Sequence, residues 1–120
     1  TRPIGTLSGG QMQRTQFARL ILQDAETLLL DEPFNAVDQP TTADLVALLE
    51  RWRDEGRTVV AVLHDLDLVA RHFPETILLA RELVAAGATA AVIDAAHLVR
   101  AQRMIEAFDS RAHVCARPAA

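Results

Sequence analysis

The sequence predicts an α/β fold with a parallel βαβ core, flanking helices and a terminal β-hairpin. Two continuous aliphatic runs, Thr27–Leu30 and Thr58–Leu63, lack the alternation of half-exposed strands and are typical of parallel strands covered on both faces. The segment between them, Pro40–Glu55, repeats its apolar residues at helical spacing. Aromatic residues make up 4% of the chain, so the core has to be aliphatic. This order of elements predicts a right-handed parallel layer.

The composition limits the possible function classes. The chain of 120 residues has a net charge of −4 and no run of basic residues, which argues against a nucleic-acid partner. A single cysteine, Cys115, excludes an internal disulfide framework and fits a reducing compartment. No stretch approaches the roughly 18 uninterrupted apolar residues of a membrane span, and the first residues have no signal-peptide core. We therefore expect a cytoplasmic chain that reaches a membrane only through a partner.

Breakers and apolar spacing predict the order of the elements. After an entry loop, the expected elements are a helix over Gly9–Gln23, the first strand, a loop, the Pro40–Glu55 helix ended by Gly56, and the second strand. The remainder predicts a short helix, two strands that pair, and a longer helix, at Leu66–His72, Thr76–Ala80, Leu83–Ala86 and Ala95–Phe108. Residues 110–120 have little periodicity and are expected to fray.

The first predicted helix begins at an unusual turn, Leu7-Ser8-Gly9-Gly10-Gln11. Ser8 and Gln11 have the spacing of an N-cap and its third helical residue, so their side chains can cap each other's backbone donors. The two glycines remove Cβ atoms where a ligand would approach the backbone closely. The turn therefore predicts either an anion site or only a well-capped helix start.

Polar residues stand where both predicted parallel strands end. Asp31 and Glu32 directly follow the first strand, and His64 follows the second. The carboxyl ends of parallel strands are where α/β sheets bind ligands, so these residues predict a site. Asp31 fits a magnesium ligand and Glu32 a general base. The alternatives are that these are ordinary polar strand ends, that His64 makes a local hydrogen bond, and that Asp38 is only a helix N-cap.

Taken together and in this order, these motifs resemble the ATP-binding-cassette (ABC) ATPases. Leu7–Gln11 is similar to the family's signature motif, and Leu28–Asp31 to its Walker B strand. Glu32 stands at the position of the catalytic glutamate, and Asn35–Asp38 resembles the D-loop, with asparagine where serine is commoner. His64 matches the switch histidine. The resemblance extends to about Gly87.

The resemblance implies two different duties for these residues, because ABC cassettes pack head to tail around two ATP molecules. Glu32 would be the general base, His64 would hold the γ-phosphate region, and Asp31 would bind Mg²⁺, all for the cassette's own ATP. Ser8 and Gly10 would contact the γ-phosphate of the ATP held by the opposite cassette, and Asp38 would couple the two sites across the interface. The cofactor-binding residues implied in this way are Leu7, Ser8, Gly9, Gly10, Gln11 and Asp38. The implied partners are a second cassette and a membrane permease at the inner face of the plasma membrane.

The chain departs from the family because it has no Gly-x-x-x-x-Gly-Lys-Ser/Thr motif and no lysine. It therefore resembles the carboxyl-terminal portion of a cassette, a partial P-loop NTPase fold over residues 1–87, with a helical extension over residues 88–120. We expect the chain by itself to bind ATP poorly, to hydrolyse it negligibly, and to leave apolar strand faces uncovered.

The sequence around Asp31–Phe34 and Val37–Asp38 is similar to the cassettes of zinc and manganese importers. This resemblance favours an ATP-binding subunit of an importer. Two alternatives stay open at this point: an ABC ATPase with no role in transport, and a non-catalytic truncated cassette that acts only by interaction.

Overall fold

The computed structural model describes residues 9–112, with side chains described for residues 10–107. In chain order the elements are α1 (Gly9–Gln23), β1 (Thr27–Asp31), α2 (Gln39–Asp54), β2 (Thr58–Val62), α3 (Leu66–His72), β3 (Glu75–Leu79), β4 (Leu83–Ala88), α4 (Thr89–Val92) and α5 (Ala95–Ala112). The chain divides into two compact units, Thr1–His64 and Asp65–Ala120.

The first unit is built on a parallel pair of strands. β1 pairs with β2 in the register Thr27 to Thr58 through Asp31 to Val62, and α2 packs against β2. This arrangement confirms the predicted parallel βαβ core. Because the two strands are in register, their carboxyl ends lie at the same edge of the sheet.

The prediction that both faces of these strands are covered is wrong for this chain. Burial alternates along β1, where Leu28 and Leu30 are buried whereas Leu29 is 75% exposed. On β2, Val60 and Val62 are also exposed. A continuous aliphatic run indicates that both faces of a strand can be buried. It does not show that the described residues bury both of them. The result is an open apolar face, as we expected from the resemblance to only the carboxyl-terminal portion of a cassette.

Helix α2 owes its bounds to residues at its two ends. Asp38 caps the amino terminus by accepting a hydrogen bond from the backbone N–H of Thr41, and Pro40 occupies the first turn. Gly56 follows the helix with a φ of 90°, a left-handed conformation that glycine adopts without strain. The helix buries one face, formed by Leu45, Val46, Leu49 and Trp52.

The second unit contains the predicted hairpin. β3 and β4 pair antiparallel, with a register irregularity at Leu78 and Leu79, and α4 packs on both strands. Thr89 at the start of α4 is buried, and its hydroxyl lies 2.5 Å from the carbonyl oxygen of Phe73 and 2.7 Å from the hydroxyl of Thr76. These two contacts fix the start of α4 against β3 and the segment that leads into it.

The sequence predicted α1 and α3 with their observed bounds and missed one element. The four residues of α4 are too few to show a helical period, so no apolar pattern marked them. No helix in the described part of the chain is long and apolar enough to cross a bilayer.

Candidate active site at the ends of the parallel strands

The site is built where β1 and β2 end together. Asp31 is the last residue of β1 and pairs with Val62, the last residue of β2. The backbone N–H of Glu32 then donates to the carbonyl oxygen of Val62 at 2.9 Å, which extends the ladder by one residue. The sheet itself therefore fixes the backbone from which the two acidic side chains project.

Glu32 has a φ of 45°, which is rare for a residue with a Cβ atom. Its carbonyl oxygen accepts a hydrogen bond from the N–H of Asn35 at 3.2 Å, and Pro33 between them is buried. This tight turn changes the chain direction immediately after Asp31. Asp31 and Glu32 therefore differ in backbone orientation although they are adjacent in the chain. Backbone strain of this kind often accompanies functional sites.

The side chains of Glu32 and His64 are in direct contact. Oε1 of Glu32 accepts from Nε2 of His64 when that nitrogen carries a proton. The carboxylate is 41% exposed and the imidazole 79% exposed, so both groups are accessible to a ligand and to water. The sheet register thus brings together the two residues that were predicted to be catalytic, although they are far apart in the sequence.

Asp38 lies on the same loop, farther from the strand ends along the chain. A hydrogen bond from the side chain of Thr41 lowers the pKa of Asp38 below its ordinary value, and the backbone N–H of Thr41 and the nearby Arg14 act in the same direction. Nη2 of Arg14 lies 3.4 Å from Oδ1 of Asp38. The predicted N-cap role of Asp38 is therefore confirmed, and its carboxylate is held in the ionised form.

Part of the predicted signature turn lies outside the described residues. Leu7 and Ser8 are in that part, so their capping geometry is a prediction only. Gly9 begins α1 as expected. A Cβ atom on Gly10 would lie 3.4 Å from the carbonyl oxygen of Ala36, which places Gly10 against the loop that carries Asp38. Gln11 is exposed, and its carbonyl oxygen accepts from the hydroxyl of Thr15.

The donor set at the strand ends fits magnesium bound together with a nucleotide. Asp31 is exposed and directly precedes Glu32 in the chain. Among residues with described side chains, no group of three or more histidine, cysteine, aspartate or glutamate residues could hold a metal ion. Mg²⁺ is commonly held by one or two carboxylates, with phosphate oxygens and water completing its octahedron. A protein cage is therefore not required for this ion.

Comparison with known proteins agrees with this geometry. The sequence profile described as "ABC transporter" matches residues 1–35. The manganese transport system ATP-binding protein MntB of Listeria monocytogenes is 49% identical over 86 residues, covering 72% of this chain and 36% of that protein. The chain belongs to the ABC ATPase family. The nickel import ATP-binding protein NikO of Rhodobacter capsulatus is 43% identical over 115 residues, which are 92% of this chain and 45% of that protein.

Solved structures of ABC proteins share the fold of this cassette segment. An ABC transporter in an inward-facing conformation superposes with a TM-score of 0.70 at 30% identity, over 82% of this chain and 39% of that chain. An ATP-binding cassette of another ABC transporter superposes with a TM-score of 0.68 at 23% identity, over 84% of this chain and 42% of that chain. The chain therefore spans less than half the length of these relatives.

Arg14 was not predicted as a residue of the site. In the cassette fold its guanidinium contacts both Asp38 and Thr41, with Nη2 only 2.7 Å from the hydroxyl of Thr41. The available signal was the spacing of Gly10, Arg14 and Phe17, which lie on one face of a helix. Nothing in the sequence alone indicated which loop that face contacts.

Proposed function

We propose that this chain is part of the ATP-hydrolysing subunit of an ABC importer that transports a metal ion. The observation that carries the proposal is the contact between Glu32 and His64 beside Asp31, at the carboxyl ends of a parallel strand pair. Three kinds of residue that phosphoryl transfer to water requires are then adjacent: an acidic metal ligand, a base and a group that orients phosphate.

In this proposal each of the three side chains has one role. The carboxylate of Glu32 accepts the proton of the attacking water, whose orientation depends on the turn that fixes the Glu32 backbone. His64 donates a hydrogen bond from Nε2, either to Glu32 or to a phosphate oxygen that comes within reach. Asp31 would hold Mg²⁺ on ATP, where the ion neutralises charge that develops on the phosphate oxygens. Positioning and charge stabilisation then supply most of the catalysis.

The proposal also assigns a second ATP-dependent surface to the chain. The signature residues Leu7–Gln11 would contact ATP bound by a second cassette packed head to tail, with Asp38 linking the two sites. Together with a membrane permease, this pairing would place the subunit at the inner face of the plasma membrane. We propose residues 1–87 as the cassette portion and residues 88–120 as a helical extension.

The names of the relatives support the choice of a metal ion as the transported substrate. The similar proteins are described as subunits for manganese, nickel and zinc, the last being TroB of Treponema pallidum, 40% identical over 100 residues. The zinc relative aligns over 83% of this chain and 38% of its own length. The permease and its binding protein would select among these ions.

A chimeric cassette tests the proposal. The stretch of the manganese relative that aligns with this chain is replaced by the chain, so that the relative supplies the missing P-loop. We expect the purified chimera to hydrolyse ATP, and Glu32→Gln to lower kcat by about 10²–10⁴-fold, the usual contribution of a general base. Manganese uptake in cells that lack the relative's own gene is the second measurement.

Glu26→Gln is the matched control, because it removes an exposed carboxylate in the turn before β1 and outside the site. We expect it to retain the activity of the unmodified chimera. Two results would contradict the proposal: a folded, ATP-binding chimera that does not hydrolyse ATP, or a Glu32→Gln chimera as active as the Glu26→Gln control. Hydrolysis without manganese uptake would favour an ABC ATPase outside metal transport.

A further inference from the structure

One face of α1 lies along the loop that connects β1 to α2. Gly10, Arg14 and Phe17 are spaced by four and three residues, so they lie above one another on the helix. Gly10 approaches the carbonyl oxygen of Ala36, as its virtual Cβ distance of 3.4 Å indicates. Phe17 is 3% exposed and stacks on Phe34, with the ring centroids 6.3 Å apart. The helix therefore meets the loop at both ends of this face.

Arg14 makes the middle contact, and it is the only polar one of the three. Nη2 donates to the hydroxyl of Thr41 at 2.7 Å and approaches Oδ1 of Asp38 at 3.4 Å. The other carboxylate oxygen of Asp38 accepts from the backbone N–H of Thr41, also at 3.4 Å. One guanidinium thus reaches both the N-cap and the first turn of α2.

The exposure of this contact argues against a role mainly in folding stability. The side chains of Arg14 and Asp38 are 59% and 56% exposed. Ion pairs with this exposure stabilise a fold little, because solvent screens them. A planar guanidinium with several donors in fixed geometry nevertheless restricts where its acceptors lie. The contact therefore defines the position of the loop relative to α1 more than it adds to the free energy of unfolding.

The loop has a particular need for such a restraint. Ala36 has a φ of 59°, a conformation that residues with a Cβ atom adopt only when their surroundings impose it. Within the loop, the N–H of Val37 donates to the carbonyl oxygen of Phe34 at 3.3 Å. Contacts with α1 on either side of this turn keep the strained conformation in place.

We propose that Arg14 is a positioning residue that holds the glycine turn of α1 and the Asp38 loop together as one rigid element. This rests on the proposed function, in which the signature residues contact the nucleotide of a second cassette and Asp38 links the two sites. Arg14 itself touches no nucleotide in this proposal. It fixes the separation of the two segments, so that contact of the signature residues with the partner nucleotide and the link through Asp38 can form at the same time.

Hydrogen exchange on the 120-residue chain measures the rigidity directly. In Arg14→Ala we expect the amides of Asn35 and Val37 to exchange about tenfold faster, because local opening of the loop becomes easier. The amides of β1 and β2 should keep their rates. Thr41→Val removes the main acceptor and should have the same effect, and the double variant should add little, since the two residues form one contact. Arg19→Ala, which removes another exposed arginine of α1, is the matched control.

A second experiment measures binding of the chain to an immobilised intact cassette, for which the manganese relative is used. A change in loop stability alone would not alter this binding. With ATP and Mg²⁺ present, we expect Arg14→Ala to bind about five- to tenfold more weakly than the unmodified chain, at the low end of typical coupling between sites. Binding without nucleotide should be unchanged. Arg14→Lys keeps the charge but not the planar donor pair, so it should bind at an intermediate level.

Three outcomes would overturn the proposal, and they are distinguishable. Unchanged exchange at Asn35 and Val37 would show that Arg14 does not restrain the loop. Faster exchange with unchanged ATP-dependent capture would show a local structural role only. If the unmodified chain is not captured in the presence of ATP, the proposed role of the signature surface fails, and this proposal fails with it.

Discussion

The two units each contain a pair of strands with polar side chains close by, but they use those side chains in opposite ways. In the second unit the hydroxyl of Thr89 is buried and bonded within the fold, to Phe73 and Thr76. In the first unit Glu32 and His64 bond to each other at an accessible strand edge. The polar atoms of Thr89 are satisfied internally, whereas those of Glu32 and His64 can exchange partners with a ligand.

Strand direction explains this difference. The antiparallel hairpin of β3 and β4 joins neighbouring segments of the sequence. Its pairing therefore does not bring together side chains that are far apart in the sequence. The parallel pair requires a crossover through α2, and it brings Glu32 and His64 to the same edge from opposite sides of that crossover. A site of residues distant in sequence is therefore expected at the parallel pair and not at the hairpin.

The largest expected effect is a change in the free energy of unfolding, and it tests whether only one face of the parallel strand pair is buried. Leu28 is 2% exposed and lies next to Leu29, which is 75% exposed on the opposite face. We expect Leu28→Ala to lower the free energy of unfolding by about 2–5 kcal/mol, because it leaves a cavity in the core. Leu29→Ala should change the free energy by no more than about 0.5 kcal/mol. Urea unfolding followed by circular dichroism measures both variants.

Similar losses for the two variants would contradict the open face, since they would mean that Leu29 is also covered. Because self-association would cover such a face at high protein concentration, the measurement is made over a range of concentrations. A concentration-dependent loss in Leu29→Ala but not in Leu28→Ala would identify the exposed face as the surface through which copies associate.

A smaller effect is expected in the second unit. Thr89→Val keeps the side-chain shape but removes a buried hydroxyl with two hydrogen-bond partners, which should cost about 1–3 kcal/mol. Thr76→Val removes one of these contacts from a half-buried position and should cost less. Hydrogen exchange of the β3 and β4 amides measures both losses. Equal costs for the two variants would show that the contact between Thr89 and Phe73 contributes nothing.

Most of the fold could be predicted because its signals are local. The bounds of α1 and α3, the cap at Asp38 and the stop at Gly56 all depend on residues within one helical turn. The exposure of Leu29 could not be predicted, because it depends on which elements cover the sheet. A run of leucines has the same appearance in the sequence whether one face or both are buried.

The same distinction separates the predictable part of the site from the rest. Glu32 and His64 each follow a strand, so the parallel topology alone predicted that they would lie at one edge. Arg14 was missed because its partners, Asp38 and Thr41, are brought to it by the packing of α1 on a loop. The left-handed conformation of Glu32 was also missed, since glutamate has no preference for that region. Which roles these residues have in catalysis stays a prediction.

The smallest expected effect concerns the titration of Asp38, which tests whether the loop of the first unit is held in place. A side-chain hydrogen bond from Thr41 is the largest cause that lowers the pKa of Asp38, so Thr41→Val should raise that pKa toward its ordinary value. Because the pKa is lower in the folded chain than in the unfolded chain, the ionised carboxylate contributes stability at pH values above its unfolded pKa. That contribution is lost as the pH falls through the folded pKa.

Carboxyl NMR titration of the chain and of Thr41→Val measures the shift, and Thr15→Val on α1 is the control. An unchanged pKa of Asp38 in Thr41→Val would show that Thr41 does not hold the carboxylate. The loop of the first unit would then lack an internal hydrogen bond of the kind that Thr89 makes in the second unit.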